Sequence, residues 1–214
     1  MSRGSDLDAA RLTVVLDIRD PRAFLALAPA IAFGRELGVA INWLPLAAEP
    51  LRPPSAPGPD DDRGARHRRH RADMIAREIA VYAQAQGLTL EEPYRNAPAD
   101  AAHQAWLWMR GQAPERLEAF LLELFRRYWV LELDASDPHA VAKVISACGE
   151  DGDGFLSWAE SEGSAALARV AADLAEAGVF AVPAYRVCDQ VFLGRQHLPM
   201  IRWLLEGEQG PMPI

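Results

Sequence analysis

The chain has 214 residues, of which 50% are apolar, 24% charged and 8% aromatic. This composition excludes a disordered segment, a collagen-like repeat and a coiled coil, and the length lets a single domain with an insertion bury a sizeable core. The net charge of −8 argues against a general nucleic-acid-binding protein, because a surface that neutralises phosphates normally shows an excess of basic residues. We therefore expect no nucleic-acid partner.

The sequence also bears on location. Residues 1–10 are polar and acidic and lack an apolar segment behind a basic start, so they do not resemble a secretory signal. No apolar run approaches the roughly 20 residues that span a bilayer. The two cysteines, Cys148 and Cys188, are too few for a disulfide framework. We expect a cytoplasmic protein without a membrane span.

The first elements along the chain form a strand-helix-strand unit. Residues 12–18 are a β-branched run that predicts a strand, and this run ends at Asp20-Pro21, an N-cap residue followed by proline at the first helical position. Apolar residues then recur with helical spacing over residues 21–37, and Gly38 ends the helix. Residues 39–46 predict a second strand, parallel to the first.

The middle of the chain is predicted to be helical. Residues 49–59 contain five prolines and predict a loop. Helical patterning without an intervening strand follows over residues 63–86, 100–112, 114–132 and 138–148.

The last third of the chain returns to a β pattern after two more helices, at 155–162 and 164–177. Residues 184–188 and 191–193 predict a hairpin with its turn at Asp189-Gln190, and residues 198–205 predict a final helix. We assign residues 11–60 to a β-α-β part, 61–150 to a helical insertion and 151–207 to an α-β-β-α part. This is the order of an α/β thioredoxin fold with an inserted all-helical domain.

Three segments resemble a known family. Residues 178–205 (GVFAVPAYRVCDQVFLGRQHLPMIRWLL) are similar to the C-terminal signature of the DsbA superfamily, in the branch of 2-hydroxychromene-2-carboxylate isomerases and kappa-class glutathione transferases. Residues 124–141 (LFRRYWVLELDASDPHAV) and 16–30 (LDIRDPRAFLALAPA) also resemble that branch. The resemblance implies a DsbA-like fold and a glutathione-dependent isomerase or transferase that acts on a small aromatic substrate.

The resemblance implies that the ligand lies between Pro183 and the start of the first helix. It also implies a cis peptide bond before Pro183, which turns the backbone groups of Val182 toward an extended peptide or glutathione. A trans proline at a turn or edge strand is the alternative interpretation.

The residue at the start of the first helix decides what chemistry is available. Redox members of the superfamily carry Cys-x-x-Cys there, and this branch usually has serine followed by proline at the first position. The present chain has Asp20 and Ala23 at the two positions, which excludes dithiol-disulfide exchange at this site. Asp20 is either a plain N-cap or a carboxylate that serves as base or acceptor, and it is expected to repel a glutathione thiolate.

Three further residues complete the candidate site. Arg22 either pairs with Asp20 or an anionic ligand, or is solvated. Gln196 stands where the branch often has an acidic residue that contacts the glutathione amine. His197 is either a base that titrates near neutral pH or a polar surface residue. The candidates are thus Asp20, Arg22 and His197 for catalysis and Val182, Pro183 and Gln196 for glutathione binding.

The most basic segment, residues 63–71 (RGARHRRHR), is interpreted as the solvated start of a helix, with an anion site over the mouth of the cleft as the alternative. Its histidines have no chelating partner at a suitable offset. Residues 151–160 approach a calcium-loop pattern but have Gly149 at the first ligand position, and capping by Asp153 explains them. We expect no metal.

Two classes of function remain. One is the glutathione-dependent enzyme with a small-molecule ligand. The other is a catalytically inactive binding or interaction protein that keeps the cleft and has lost the nucleophile. The sequence leaves open whether the protein forms a homodimer.

Overall fold

The computed structural model describes Leu7 and residues 10–58 and 62–213. One four-stranded sheet with the order β2-β1-β3-β4 forms its centre. The strands are β1 Leu12–Leu16, β2 Ile41–Pro45, β3 Ala184–Val187 and β4 Gln190–Leu193. β1 is parallel to β2 and antiparallel to β3, and β3 is antiparallel to β4. This mixed sheet confirms the predicted α/β thioredoxin architecture.

Eight helices surround the sheet in the described part of the chain: α1 Pro21–Leu37, α2 Arg63–Gln86, α3 Asp100–Gln112, α4 Leu117–Trp129, α5 Pro138–Ala147, α6 Gly152–Trp158, α7 Ser164–Glu176 and α8 Leu198–Leu205. A π-helical segment, Ala159–Gly163, joins α6 to α7, and a 3-10 turn, Arg195–His197, precedes α8. The bounds of α1, α2, α3 and α8 coincide with those predicted.

Several predicted element boundaries differ from the structure; among them, the first strand ends at Leu16 rather than at residue 18. The hairpin turn lies at Cys188-Asp189, because Gln190 already pairs with Val187 in the ladder. Helix α6 begins at Gly152 rather than at residue 155, because the carboxylate of Asp151 accepts a hydrogen bond from the Gly154 N–H at 2.9 Å and caps the helix. Asp153, the predicted cap, lies in the first turn.

The helical insertion packs directly on α1. The ring of Phe24 in α1 stacks on Phe125 and Trp129 of α4, with centroid separations of 5.9 and 6.4 Å. The edge of Trp106 from α3 contacts Phe125 at 6.2 Å. These four rings are buried. Because α1 is held from this side, the position of its N-terminus depends on the packing of the insertion.

Among the described residues, no helix has the length and apolar character needed to cross a bilayer. The same ranges contain no group of three or more His, Cys, Asp or Glu side chains that could hold a metal ion.

Candidate functional site

A cavity of about 350 Å³ lies between the start of α1, the middle of α2 and the two loops that precede β3 and follow β4. We call it the cleft. Several sequence-predicted site residues line it together: Arg22, Val182, Pro183 and Gln196. The structure thus brings α1, the inserted helix α2 and the loops around β3 and β4 to one site.

The loop before β3 lines the cleft and contains backbone groups without hydrogen-bond partners in the described ranges. The Val182-Pro183 peptide bond is cis. The Pro183 carbonyl accepts a hydrogen bond from the Gly194 N–H at 2.8 Å, which joins this loop to the loop after β4. In the described ranges, neither the N–H nor the C=O of Val182 makes a hydrogen bond, although Val182 itself is buried. Buried backbone groups are normally paired, so these two are available to a ligand.

Asp20 caps α1, and its carboxylate is paired with the Arg22 guanidinium. The Asp20 carboxylate accepts the Arg22 backbone N–H at 2.8 Å and the guanidinium Nε and Nη2 at 3.0 and 2.5 Å. Asp20 is 5% exposed, whereas the Arg22 side chain is 40% exposed and lines the cleft. The hydrogen bonds to Asp20 raise the pKa of Arg22 above its ordinary value. The structure thus shows Asp20 as the N-cap of α1 and Arg22 as its ion-pair partner, which are two of the alternatives that the sequence left open.

Because of this ion pair, the electrostatic environment at the start of α1 differs from the one predicted from the sequence. The sequence predicts that Asp20 repels a thiolate, but the Asp20 carboxylate is buried and paired with the Arg22 guanidinium, and Arg22 rather than Asp20 lines the cleft. A cation therefore stands at the positive end of the α1 dipole, and both favour an anionic ligand there.

The loop after β4 closes the opposite side of the cleft. The Gln196 side chain folds back and donates a hydrogen bond to the Leu193 carbonyl at 2.8 Å. Gly194 has φ 93°, a backbone conformation that residues with a side chain rarely adopt, so glycine is favoured here. The Arg195 guanidinium lies 3.3 Å from the Tyr82 ring centroid and donates to the Leu25 carbonyl.

His197 does not line the cleft. Its ring lies 5.6 Å from the ring of Phe192, at the end of the 3-10 turn whose first two residues occupy the cleft side. The structure therefore does not bring His197 together with Asp20 and Arg22.

The charge of the cleft is positive. Three arginines line it, Arg22, Arg71 and Arg195, against a single glutamate, Glu78. Leu25 and Ile75 supply apolar surface beside them. The arrangement suits an anionic ligand with an apolar part.

A buried charged cluster of Asp17, Arg19 and His103 lies behind the start of α1 and was not predicted from the sequence. We call it the Asp17 cluster. Asp17 accepts hydrogen bonds from the Arg19 guanidinium at 2.7 Å and from the Ala48 N–H at 2.9 Å. Nε2 of His103, from α3, lies 3.3 Å from Oδ1 of Asp17, and both side chains are almost fully buried. Burial alone would raise the pKa of Asp17, but the adjacent His103 and Arg19 outweigh it and hold that pKa well below its usual range.

The Asp17 cluster holds the turn that leads into α1. The Asp20 N–H donates to the Asp17 carbonyl at 3.1 Å, so the two aspartates share one turn. A signal for it exists in the sequence, where Asp17-x-Arg19 is repeated at once as Asp20-x-Arg22. In each unit the carboxylate accepts from the backbone N–H and the guanidinium of the arginine two residues later.

Several solved structures have a similar fold. A 2-hydroxychromene-2-carboxylate isomerase matches with TM-score 0.70 and 18% identity, over 91% of this chain and 94% of that chain. A probable DsbA oxidoreductase from Streptomyces coelicolor matches with TM-score 0.67 and 19% identity, over 96% and 93%. The cytosolic disulfide reductase DsbM from Pseudomonas aeruginosa, solved with GSH, matches with TM-score 0.61 and 16% identity, over 92% and 98%.

Among curated proteins, none matches the chain significantly. Residues 30–206, which make up most of the chain, match the family model of the DsbA-like thioredoxin domain. Together with the sheet order and the inserted helices, this match identifies the protein as a member of the DsbA-like thioredoxin domain family.

Proposed function

We propose that the protein is a glutathione-dependent isomerase or transferase for a small aromatic substrate, in which Arg22 takes the place of the sulfur or hydroxyl at the start of α1. The observation that carries this proposal is the position of the Arg22 guanidinium in the same cleft as the unpaired backbone groups of Val182. The solved structures of similar fold include an isomerase of 2-hydroxychromene-2-carboxylate and a reductase solved with GSH.

The cleft suits glutathione as an extended, acidic tripeptide. The N–H and C=O of Val182 are placed to pair with its backbone as an added strand would. Arg71 and Arg195 supply positive charge for its carboxylates. The volume of about 350 Å³ is within the range of small-molecule sites, and the apolar surface of Leu25 and Ile75 remains for the aromatic substrate.

The chemistry follows from the charge at the helix start. A guanidinium and the positive end of a helix dipole both favour a thiolate over a thiol, so the bound glutathione thiol loses its proton to solvent at lower pH. The thiolate lone pair then forms a C–S bond to the β-carbon of a C=C bond conjugated with a carbonyl group of the substrate, and the displaced π electrons move to the carbonyl oxygen as an enolate. In a transfer the enolate takes a proton from solvent and the C–S bond remains. In an isomerisation the former double bond rotates, the enolate electrons re-form the C=C bond, and the C–S bond breaks with its electron pair returning to sulfur as thiolate.

Calorimetric titration with glutathione, combined with the ultraviolet absorbance of its thiolate as a function of pH, tests the proposal. We expect the pKa of bound glutathione to fall below the value of about 8.5 typical of a free thiol. Arg22→Gln should return that pKa toward the free value, whereas Arg77→Gln, an exposed residue of α2 that does not line the cleft, should leave it unchanged. Failure of glutathione to bind wild-type protein refutes the proposal.

A second function, a binding protein without catalysis, is favoured by the state of Asp20. Its carboxylate is buried and fully engaged by Arg22, so it does not serve as a free base. Glutathione binding without acceleration of conjugation or isomerisation would assign this second function. The cytoplasmic location stays a prediction; the Pseudomonas aeruginosa reductase of similar fold is a cytosolic protein.

A further inference from the structure

Positive charge is concentrated in the first turns of α2. Seven of the nine residues from 63 to 71 are arginine or histidine, in a chain whose net charge is −8. We call residues 63–71 the basic segment. Asp62 caps the helix by accepting the Ala65 N–H at 2.6 Å, and the first turn contains no acidic residue.

This charge is unfavourable for the isolated helix. Cations at a helix N-terminus oppose the dipole, and like charges three or four residues apart repel each other. Arg66, Arg68 and Arg71 are exposed, and no carboxylate in the described ranges forms an ion pair with them. The buried residues of α2, Ile79 and Ala83, lie beyond the basic segment, so core packing does not offset the repulsion.

The basic segment is continuous with the cleft. Arg71 is its last residue and also lines the cleft, together with Val182, whose backbone groups are unpaired in the described ranges. A helix of nine residues is about 13 Å long, which equals about four residues of an extended peptide. A chain that pairs with Val182 and continues past Arg71 therefore meets the basic segment over its next residues.

We infer that the basic segment binds an extended acidic peptide segment whose end occupies the cleft. The pairing groups of Val182 suit a peptide backbone, and the arginines suit its carboxylates. The net charge of the chain and the small cleft disfavour a nucleic acid. The inference shares the cleft with the proposed function but does not require that glutathione binds.

A titration with three probes tests this inference: a fluorescent hexaglutamate peptide, the hexaglutamine peptide of equal length and a single-stranded oligonucleotide. We expect only hexaglutamate to bind at low salt, with an affinity that falls as salt rises. Arg66→Gln with Arg68→Gln should weaken it about fivefold to tenfold. The control double variant, Arg77→Gln with Arg169→Gln, makes the same charge change at exposed positions elsewhere and should shift affinity by less than about twofold.

Equal loss in the two double variants, equal binding of hexaglutamine, or tighter binding of the oligonucleotide overturns the inference. Neither Arg66 nor Arg68 lines the cleft, so their substitution should leave glutathione binding unchanged. Hexaglutamate binding that depends on these arginines, without glutathione binding, refutes only the proposed function. Glutathione binding without hexaglutamate binding refutes only this inference.

Discussion

The guanidinium of Arg22 covers the buried carboxylate of Asp20, with Nε 3.0 Å from Oδ1, at the start of the first helix of a thioredoxin fold. The carboxylate satisfies the backbone N–H of Arg22, and the guanidinium carries the exposed charge. The helix start thus presents a cation to the cleft even though its N-cap is acidic.

Replacing Asp20 by serine tests this arrangement. Serine keeps an N-cap acceptor, so α1 should remain stable, while Arg22 loses its carboxylate partner and is free to face an anion. We expect Asp20→Ser to strengthen glutathione binding by about 1 kcal/mol, or several-fold, because the guanidinium charge that the Asp20 carboxylate neutralises becomes available to the ligand. Calorimetric titration of both proteins measures the difference.

Asp137→Ser is the matched control for this experiment. Asp137 caps α5 by accepting the His139 N–H at 2.9 Å, and it does not line the cleft. Its substitution should leave the affinity for glutathione unchanged. Weaker binding by Asp20→Ser than by the wild type would show that Asp20 itself contributes an acceptor to the ligand.

The two cysteines should not contribute to activity. Both are free, Cys148 at the end of α5 and Cys188 in the hairpin turn, and the start of α1 holds no sulfur. We expect no turnover in an insulin-reduction assay, and a Cys148→Ala, Cys188→Ala double variant should bind glutathione as the wild type does. Thiol-dependent turnover that the double variant loses would contradict the assignment of the cleft.

Much of the fold could be predicted because its helix ends carry local signals. Asp20-Pro21 and Gly38 fix the ends of α1 by capping, and the structure shows both caps. The candidate cleft also followed from the resemblance of the segments around Asp20 and Pro183. Capping signals and family motifs involve residues that are adjacent in the chain, so a single sequence is enough to identify them.

The Asp17 cluster could not be predicted in the same way. The run of apolar residues that extends to Ile18 predicts that Asp17 continues the first strand. The strand instead ends at Leu16, where the carboxylate of Asp17 forms its own turn. Its partner His103 lies on α3, and only tertiary packing brings the two together. Likewise, the orientation of His197 depends on the 3-10 turn before α8, which has no distinctive pattern.

The Asp17 cluster should be important for stability. Asp17→Ala removes the acceptor of Arg19 and leaves His103 and the Ala48 N–H without their partner in a buried region. We expect the free energy of unfolding to fall by about 3 kcal/mol, the cost of breaking a buried ion pair by removing one member. Urea denaturation measures it, with Asp189→Ala as control, because Asp189 is fully exposed and its substitution should have no measurable effect.

The same residue predicts acid sensitivity. The pKa of Asp17 is lowered in the folded protein from an ordinary value of 3.8, so its contribution is fully present above that value and is lost as the pH falls toward the folded pKa. The free energy of unfolding should therefore decline below about pH 4 less steeply in Asp17→Asn than in the wild type. Asp189→Asn is the control: the Asp189 side chain is fully exposed, so its substitution should leave the slope unchanged. Equal slopes for wild type and Asp17→Asn would contradict the prediction.

Tyr128 should determine part of the response to high pH. Its hydroxyl is buried and has no hydrogen-bond partner in the described ranges, and burial raises its pKa to about 12. Because the folded pKa exceeds the ordinary value of 10.0, the stabilisation is complete below pH 10 and is lost as the pH rises toward 12. Tyr128→Phe should flatten this loss in urea denaturation and change stability at neutral pH by less than about 0.5 kcal/mol, since the hydroxyl has no partner to lose. A larger loss at neutral pH would show that the hydroxyl is paired in solution, and Tyr82→Phe, whose ring is 41% exposed, should leave the alkaline slope unchanged.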